Sequence, residues 1–317
     1  MKKLHFLQAL RAWAAWLVVA DHAILSVATN ASTPVVAEAW RLGESGVDLF
    51  FVISGFIMTH ISWNEFDKPQ ARRRFVIRRL VRIVPLYWLA TILALVYHRF
   101  SATHDAHAGV AALIKSLFFI PYHDEAGAWR PVLPQGWTLS YEMMFYAFFA
   151  IGLTFRRNRG IIFTVGALLI LIGTQPLITN GSLAHLAAPI SLWFVLGIGL
   201  GFVWRHLSLS EPNWLKSSAA LFEPFGDASY STYLVHGVVL TVLLRCWTRL
   251  GVHPGMIFVP AALVIVTIAG WAVHRLVEKP LLRVLHYRRA SQPAAPPTGP
   301  QTLLPPDDIQ VVLQHSP

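Results

Sequence analysis

A single cysteine, Cys246, occurs in the 317 residues. That excludes an intramolecular disulfide and any multi-cysteine metal or iron–sulfur site. Cys246 lies inside an apolar run, so nothing in its surroundings marks it as a nucleophile. Charge is scarce as well, at 13% of residues, where a soluble domain carries about a quarter. No internal repeat is visible, which removes the simplest signature of a solenoid or of an inverted-repeat transporter. The chain therefore reads as something other than a water-soluble globule.

What the sequence has instead is apolar bulk: 55% hydrophobic residues, with 12 Trp and 19 Phe. A helix needs about 20 residues to cross the hydrocarbon layer. Eight segments meet or approach that length, at 5–28, 45–62, 76–98, 136–155, 160–177, 186–204, 224–245 and 256–276. The fold class expected is all-α, a polytopic integral membrane bundle of eight spans. Two shorter segments raise the count to ten if both enter the membrane. One is 110–121, apolar but short and carrying Lys115, which reads as a re-entrant or interfacial helix. The other is the amphipathic connector 208–223. Lys2 and Lys3 precede the first apolar segment, yet Arg11 interrupts it and no small-x-small cleavage site ends it, so it reads as a retained span.

Lys and Arg number 26 against 16 Asp and Glu. The excess is collected into short stretches between apolar runs, which is the inside-positive pattern of membrane proteins rather than a nucleic-acid surface. Arg72, Arg73, Arg74, Arg78, Arg79 and Arg82 form the largest group. With eight crossings, Lys2 and Lys3, the Arg156–Arg157–Arg159 cluster, Arg205 with Lys216, and the Lys279 to Arg289 stretch fall on the same side. The other side receives isolated arginines such as Arg41, Arg99, Arg130 and Arg249. This places both termini in the cytoplasm. Residues 1–285 read as one membrane-embedded domain, and 286–317 as a basic, then proline-rich, disordered tail.

Ionisable residues inside spans are costly and mark function by default. The first span holds Arg11, Asp21 and His22. Arg11 and His22 stand eleven residues apart, close to three helical turns, so they share one face about 16 Å apart along the axis. That suits a long substrate threaded along the face; Arg11 also fits a snorkelling role at the interface. In the second span, antiparallel packing brings Asp48 to the depth of His22, where a carboxylate could fix the imidazole tautomer or simply cap the helix. Gly55 reads as a close-packing site. Arg78, Arg79 and Arg82 in RRLVRIVPLYW set topology and can also bind a phosphorylated ligand. QGWTLSYEMMFYAFF supplies Trp137, Ser140, Glu142 and Tyr146. FGDASYSTYLVH supplies Ser229, Tyr233 and His236 along one face.

These segments, QALRAWAAWLVVADH, GVDLFFVISGF, RRLVRIVPLYW, WTLSYEMMFY, SYSTYLVH and VEKP, resemble in order those of the integral membrane acyltransferase 3 family. The likeness is to its exopolysaccharide O-acetyltransferase branch, and it covers the chain to about residue 285. The resemblance implies acyl transfer, most often acetyl, from cytoplasmic acyl-CoA to a hydroxyl of an exopolysaccharide, O-antigen or related envelope carbohydrate. It implies a bacterial inner-membrane location and no tightly bound cofactor, with acyl-CoA as co-substrate. The partners implied are a carbohydrate or lipid-linked oligosaccharide acceptor, membrane lipid and polysaccharide-synthesis machinery. The family's Arg, ten intervening residues, then His falls on Arg11 and His22. Members usually have ten spans, where hydropathy and charge here favour eight.

On that reading His22 is the general base and Asp48 or Glu142 holds its ring. Arg11, Arg78, Arg79 and Arg82 hold the donor, and Trp137, Ser140, Tyr146, Tyr233 and His236 face the acceptor. A membrane transporter, or a non-catalytic subunit for polysaccharide assembly, would use the same polar inventory.

Overall fold

The computed structural model describes residues 4–30, 44–100, 109–124, 127–179, 181–251 and 257–290. Arg41 and the proline-rich tail beyond residue 290 lie outside the described residues. The chain divides into two compact units, Met1–Leu282 and Arg283–Pro317; the described part of the second is the end of the last helix.

The described residues are helical and contain no strand. In chain order the helices are α1 (His5–Asn30), α2 (Glu44–Ser62), α3 (Ala71–Phe100), α4 (Val110–Leu117), α5 (Gly136–Gly152) and α6 (Arg157–Gly173). There follow α7 (Gly181–Leu186), α8 (Leu192–His206), α9 (Asn213–Ala220), α10 (Glu223–Arg249) and α11 (Phe258–Val273). A π-helical turn at His274–Glu278 then leads into α12 (Lys279–Ala290).

Five stretches are long and apolar enough to cross a membrane: His5–Ala28, Glu44–Ser62, Ala71–Val96, Gly181–His206 and Phe258–Leu285. The other three expected spans fall on α5 and α6, each 17 residues, and on α10, 27 residues long but polar through its first half. The segment expected at 110–121 forms only the eight residues of α4. At 1.5 Å per residue it reaches about 12 Å, far short of a crossing. The connector 208–223 likewise contains only the eight-residue α9.

The apolar faces explain why this bundle belongs in lipid. On α8, Leu192, Leu196, Leu200 and Val203 recur at helical spacing and are exposed, while Phe194, Gly197, Ile198 and Gly201 on the opposite face are buried. Leu89, Ile92, Leu93 and Val96 on α3 are similarly exposed. Contiguous faces of this kind cannot be left in water. The protein is a polytopic membrane protein.

The buried face of α8 packs on α2 through glycine. A Cβ on Gly197 would stand 2.1 Å from the backbone oxygen of Val52, and one on Gly55 would stand 2.3 Å from that of Phe194. Backbone approach this close needs residues without side chains, which is the role expected for Gly55. Phe51 stacks on Phe194 at 4.4 Å and Phe145 stacks on it at 4.5 Å, so the seam continues into the aromatic core. On α3, Tyr87 and Trp88 donate to the carbonyls of Ser116 and Leu117 at 3.2 and 2.9 Å. These bonds satisfy the open end of α4. Tyr87 and Trp88 thus anchor the short helix.

The basic clusters, separated in sequence, meet at one end of the bundle. The turn after α2 reaches the end of α5 through Asp67 N–H on the Leu153 carbonyl at 3.0 Å. Trp63 of that turn carries the guanidinium groups of Arg157 from α6 and Arg205 from α8. At the first turn of α1, the backbone N–H groups of His5 and Phe6 donate to the Glu211 carboxylate at 3.1 and 2.7 Å. In the turn beside Trp63, Glu65 receives Arg74 at 2.9 Å and Lys68 at 3.3 Å. The Arg74 hydrogen bond holds its carboxyl below the usual range.

Candidate active site

Two chambers open within the bundle. The inner one, toward the basic end, has a volume of about 100 Å³ and is lined by Arg11, Arg79, Arg82, Ser54, Glu142, Tyr146, Ser229 and Tyr230, among others. The outer one, toward the far end, is about 1360 Å³ and receives Asp21, His22, Asp48, Gln135, Trp137, Trp193 and His236. Val47 and Tyr233 belong to both linings. The chambers therefore meet at those two side chains.

Helix direction sorts the residues by depth. Along α1, Arg11 comes first and faces the inner chamber, and His22, three turns later, faces the outer one. Along α10, Ser229 and Tyr230 are inner, Tyr233 is at the boundary and His236 is outer. Helices α2 and α5 run the opposite way, so Asp48 and Trp137 are outer while Ser54, Glu142 and Tyr146 are inner. Four helices thus agree on which residues belong to each chamber.

In the inner chamber, Arg11 is buried in the field of Arg82 and of the carboxylates of Glu278, Asp227 and Glu142. Glu142 Oε1 accepts from the Tyr146 hydroxyl and, at 3.2 Å, from Ser54 Oγ. Tyr230 donates to the Ile83 carbonyl at 2.9 Å, which joins α10 to α3 beside Arg82. The buried Arg79 Nε and Ser229 Oγ have no protein hydrogen-bond partner. Three guanidinium groups around a narrow space, with unused donors facing it, suit a long anionic ligand.

In the outer chamber, His22 Nδ1 donates to the Val18 carbonyl at 2.9 Å. That bond commits the Nδ1 proton and leaves Nε2 with its lone pair. Asp21 Oδ2 is 3.8 Å from the same nitrogen, beyond hydrogen-bond length. The His22 ring meets that of His236 edge to face at 4.9 Å. His236 is fully buried, its Nδ1 donating to the Tyr233 carbonyl at 2.5 Å. At the boundary, the Tyr233 hydroxyl lies 2.8 Å from Thr138 Oγ1 and donates to the Gln135 carbonyl at 3.2 Å.

The sequence expectations sort unevenly onto this geometry. Glu142 is not beside His22: it lies among the inner arginines, held by Ser54 and Tyr146. Asp48 lines the outer chamber with Trp193 and His22, and no hydrogen bond joins its carboxylate to the His22 ring. A backbone carbonyl, not a carboxylate, fixes the His22 tautomer. Of the arginines on α3, Arg79 and Arg82 line the inner chamber, while Arg78 is exposed and outside its lining. Trp137 and His236 line the outer chamber, Tyr233 both and Tyr146 the inner. Ser140 lines a separate small cavity with Tyr87 and His185.

Sequence reasoning passed over Tyr230, Gln135 and Glu278. Glu278, in the VEKP stretch, is buried on the π-helical turn. It accepts from Ser231 Oγ at 2.6 Å and His274 Nδ1 at 2.8 Å. Its neighbours Lys279 and Pro280 carry no sign of burial in the sequence, and the π-helical turn directs it inward.

The chain is 31% identical over 302 residues to the exopolysaccharide production protein ExoZ of Rhizobium meliloti (strain 1021), covering 80% of this chain and 93% of that one. It is 27% identical over 207 residues to the peptidoglycan O-acetyltransferase OatA of Listeria monocytogenes (serovar 1/2a, strain EGD-e), covering 56% of this chain and 32% of that one. It is 28% identical over 200 residues to the putative peptidoglycan O-acetyltransferase YrhL of Bacillus subtilis (strain 168), covering 55% and 31%. The chain thus spans about one third of each peptidoglycan relative. No solved structure matches. The family model described as an acyltransferase domain matches residues 4–222, from the start of α1 through α9, and the chain belongs to that membrane family, Acyl_transf_3.

Proposed function

We propose that this protein is an O-acyltransferase. It moves an acyl group, most simply acetyl, from acyl-CoA to a hydroxyl of an exopolysaccharide or related envelope carbohydrate. The observation that carries this is a guanidinium-lined inner chamber adjacent to an imidazole-lined outer chamber, with Tyr233 and Val47 in the walls of both. The family and the relative covered over 93% of its length support the same reading. The basic end is taken as cytoplasmic, in a bacterial inner membrane, with both termini on that side. On this topology α5, α6 and α10 cross with the five longer stretches, giving eight spans. Residues 1–285 form the catalytic domain and 286–317 a cytoplasmic tail.

The donor enters from the basic end, and Arg11, Arg79 and Arg82 hold its phosphates or pantetheine arm. Ser229 Oγ donates to the arm, and Glu142 positions the arginines by balancing their charge. The thioester reaches the boundary at Tyr233. From the far side an acceptor hydroxyl donates to His22 Nε2. As its oxygen bonds to the thioester carbonyl carbon, the proton passes to Nε2. The C–S bond then breaks, and the thiolate leaves with that proton as free thiol. His236 packs against His22 and fixes the ring plane.

Incubating vesicles with labelled acetyl-CoA and carbohydrate from a deletion strain tests the reading directly. Label should appear on the carbohydrate, with mass spectrometry giving the acyl group and NMR its position. Carbohydrate flux without any acyl donor, and no transfer with it, would favour a transporter instead.

Two variants separate the chambers. Arg11→Ala should raise KM for the donor about tenfold, the equivalent of one charge-assisted contact, with little change in acceptor KM. An unchanged donor KM would remove Arg11 from donor binding. His236→Ala should lower kcat about tenfold, and His236→Phe should recover most of it, because an edge-to-face ring is restored. If the phenylalanine variant is as slow as the alanine one, His236 acts through its nitrogen rather than its shape.

A further inference from the structure

At the basic end, on the flank of α2 facing α6 and α8, two guanidinium groups share one indole. Arg157, the first residue of α6, lies with its central carbon 4.2 Å from the Trp63 ring centre, and Arg205, near the end of α8, at 5.6 Å. Their Nε atoms are buried without a hydrogen-bond partner, as is Nδ1 of His60 one turn before Trp63. His206, next to Arg205, stacks on Phe202, which packs on Trp63.

Among the described residues no carboxylate pairs with Arg157 or Arg205. The acid in the same turn, Glu65, is engaged by Arg74 and Lys68. Cations gathered at one ring without an acid repel one another, and an indole face offsets only part of that. A group with negative charge and several acceptor oxygens would satisfy both forks.

The surroundings favour a lipid as its source. Arg157 opens α6 and Arg205 stands in the last turn of α8, so the cluster lies at the basic-side end of two helices whose outer faces expose Leu200, Val203, Ile162 and Leu169. None of Trp63, Arg157 or Arg205 lines the inner chamber. A phosphate here would thus sit at the depth of a headgroup, with acyl chains along α6 and α8.

We infer that Arg157 and Arg205, flanking Trp63, form a binding site for the phosphate of an anionic phospholipid of the basic-side leaflet. The site is separate from the donor chamber, so the inference stands or falls independently of acyl transfer. Soluble phosphates, including those of coenzyme A, offer the same chemistry and are the competing source.

The test is thermal unfolding of the purified full-length protein in mixed micelles. Dioleoyl phosphatidylglycerol is compared with dioleoyl phosphatidylcholine at equal mole fraction. The anionic lipid should raise the midpoint by about 5 °C at saturation, and Arg157→Gln/Arg205→Gln should lose that rise. Arg159→Gln, exposed two residues away, should keep it. Native mass spectrometry should find at least one phosphatidylglycerol retained by the wild type and lost from the double variant. If that variant does not fold, the single variants Arg157→Lys and Arg205→Lys keep the charge but not the planar fork, and each should retain less of the lipid. Equal retention by wild type and variants overturns the site. An equal rise produced by inorganic phosphate or coenzyme A without anionic lipid overturns the lipid assignment.

Discussion

His22→Ala should reduce acyl transfer at least about 100-fold, the lower range for a lost general base, while the amount of protein in the membrane is unchanged. Its Nδ1 is committed to the Val18 carbonyl at 2.9 Å, so the ring has one free nitrogen, and that nitrogen serves a chamber wide enough for a sugar. The side chain is 49% exposed, which makes structural damage from its removal small. His22→Asn is the sharper variant, since its amide nitrogen takes the place of Nδ1 and can still donate to Val18 but supplies no base. A well-expressed His22→Ala protein that acylates at the normal rate would leave the imidazole without a chemical role. Loss of protein together with activity would make it a packing residue.

The second large effect concerns stability and is confined to one of two glycines two residues apart. Gly197→Ala places a methyl 2.1 Å from the Val52 backbone oxygen, and neither helix can yield without opening the α2–α8 seam. A cost of about 3 kcal/mol is expected, at the upper end for overpacking. That should lower the unfolding midpoint in detergent by about 6 °C. At Gly199 a Cβ meets nothing within 4 Å, so Gly199→Ala should be neutral or gain a few tenths of a kcal/mol from helix propensity. Equal midpoints for the two variants would mean that α8 does not touch α2 as described.

Much of the architecture could be read from periodicity. The helices α1, α2 and α3, the stretch from α7 through α8, and the stretch from α11 into α12 have the length and hydropathy the bilayer requires. The polar first half of α10 and the 17-residue lengths of α5 and α6 set those three apart. The close packing of Gly55 was legible because a glycine in an apolar span has few other uses. Its partner Gly197, with Gly201 four residues on, carried the same signal and was missed, because small residues four apart also occur on lipid faces. Arg11 and His22 were placed by helical arithmetic alone. Whether Glu142 serves the imidazole or a cation is open in the sequence, because a carboxylate suits either, and packing puts it among the inner arginines.

The sequence by itself determined which residues share a helix face and how far apart they stand along it, since both follow from a fixed rise and turn. It also determined that the chain is a membrane bundle with its basic clusters directed to one end. Which faces meet was decided only by tertiary packing. Depth in a bundle depends on the direction and offset of every neighbouring helix, and no local rule supplies those. That is why Asp48 meets Trp193, why a backbone carbonyl holds the His22 ring, and why the π-helical turn brings Glu278 into the interior.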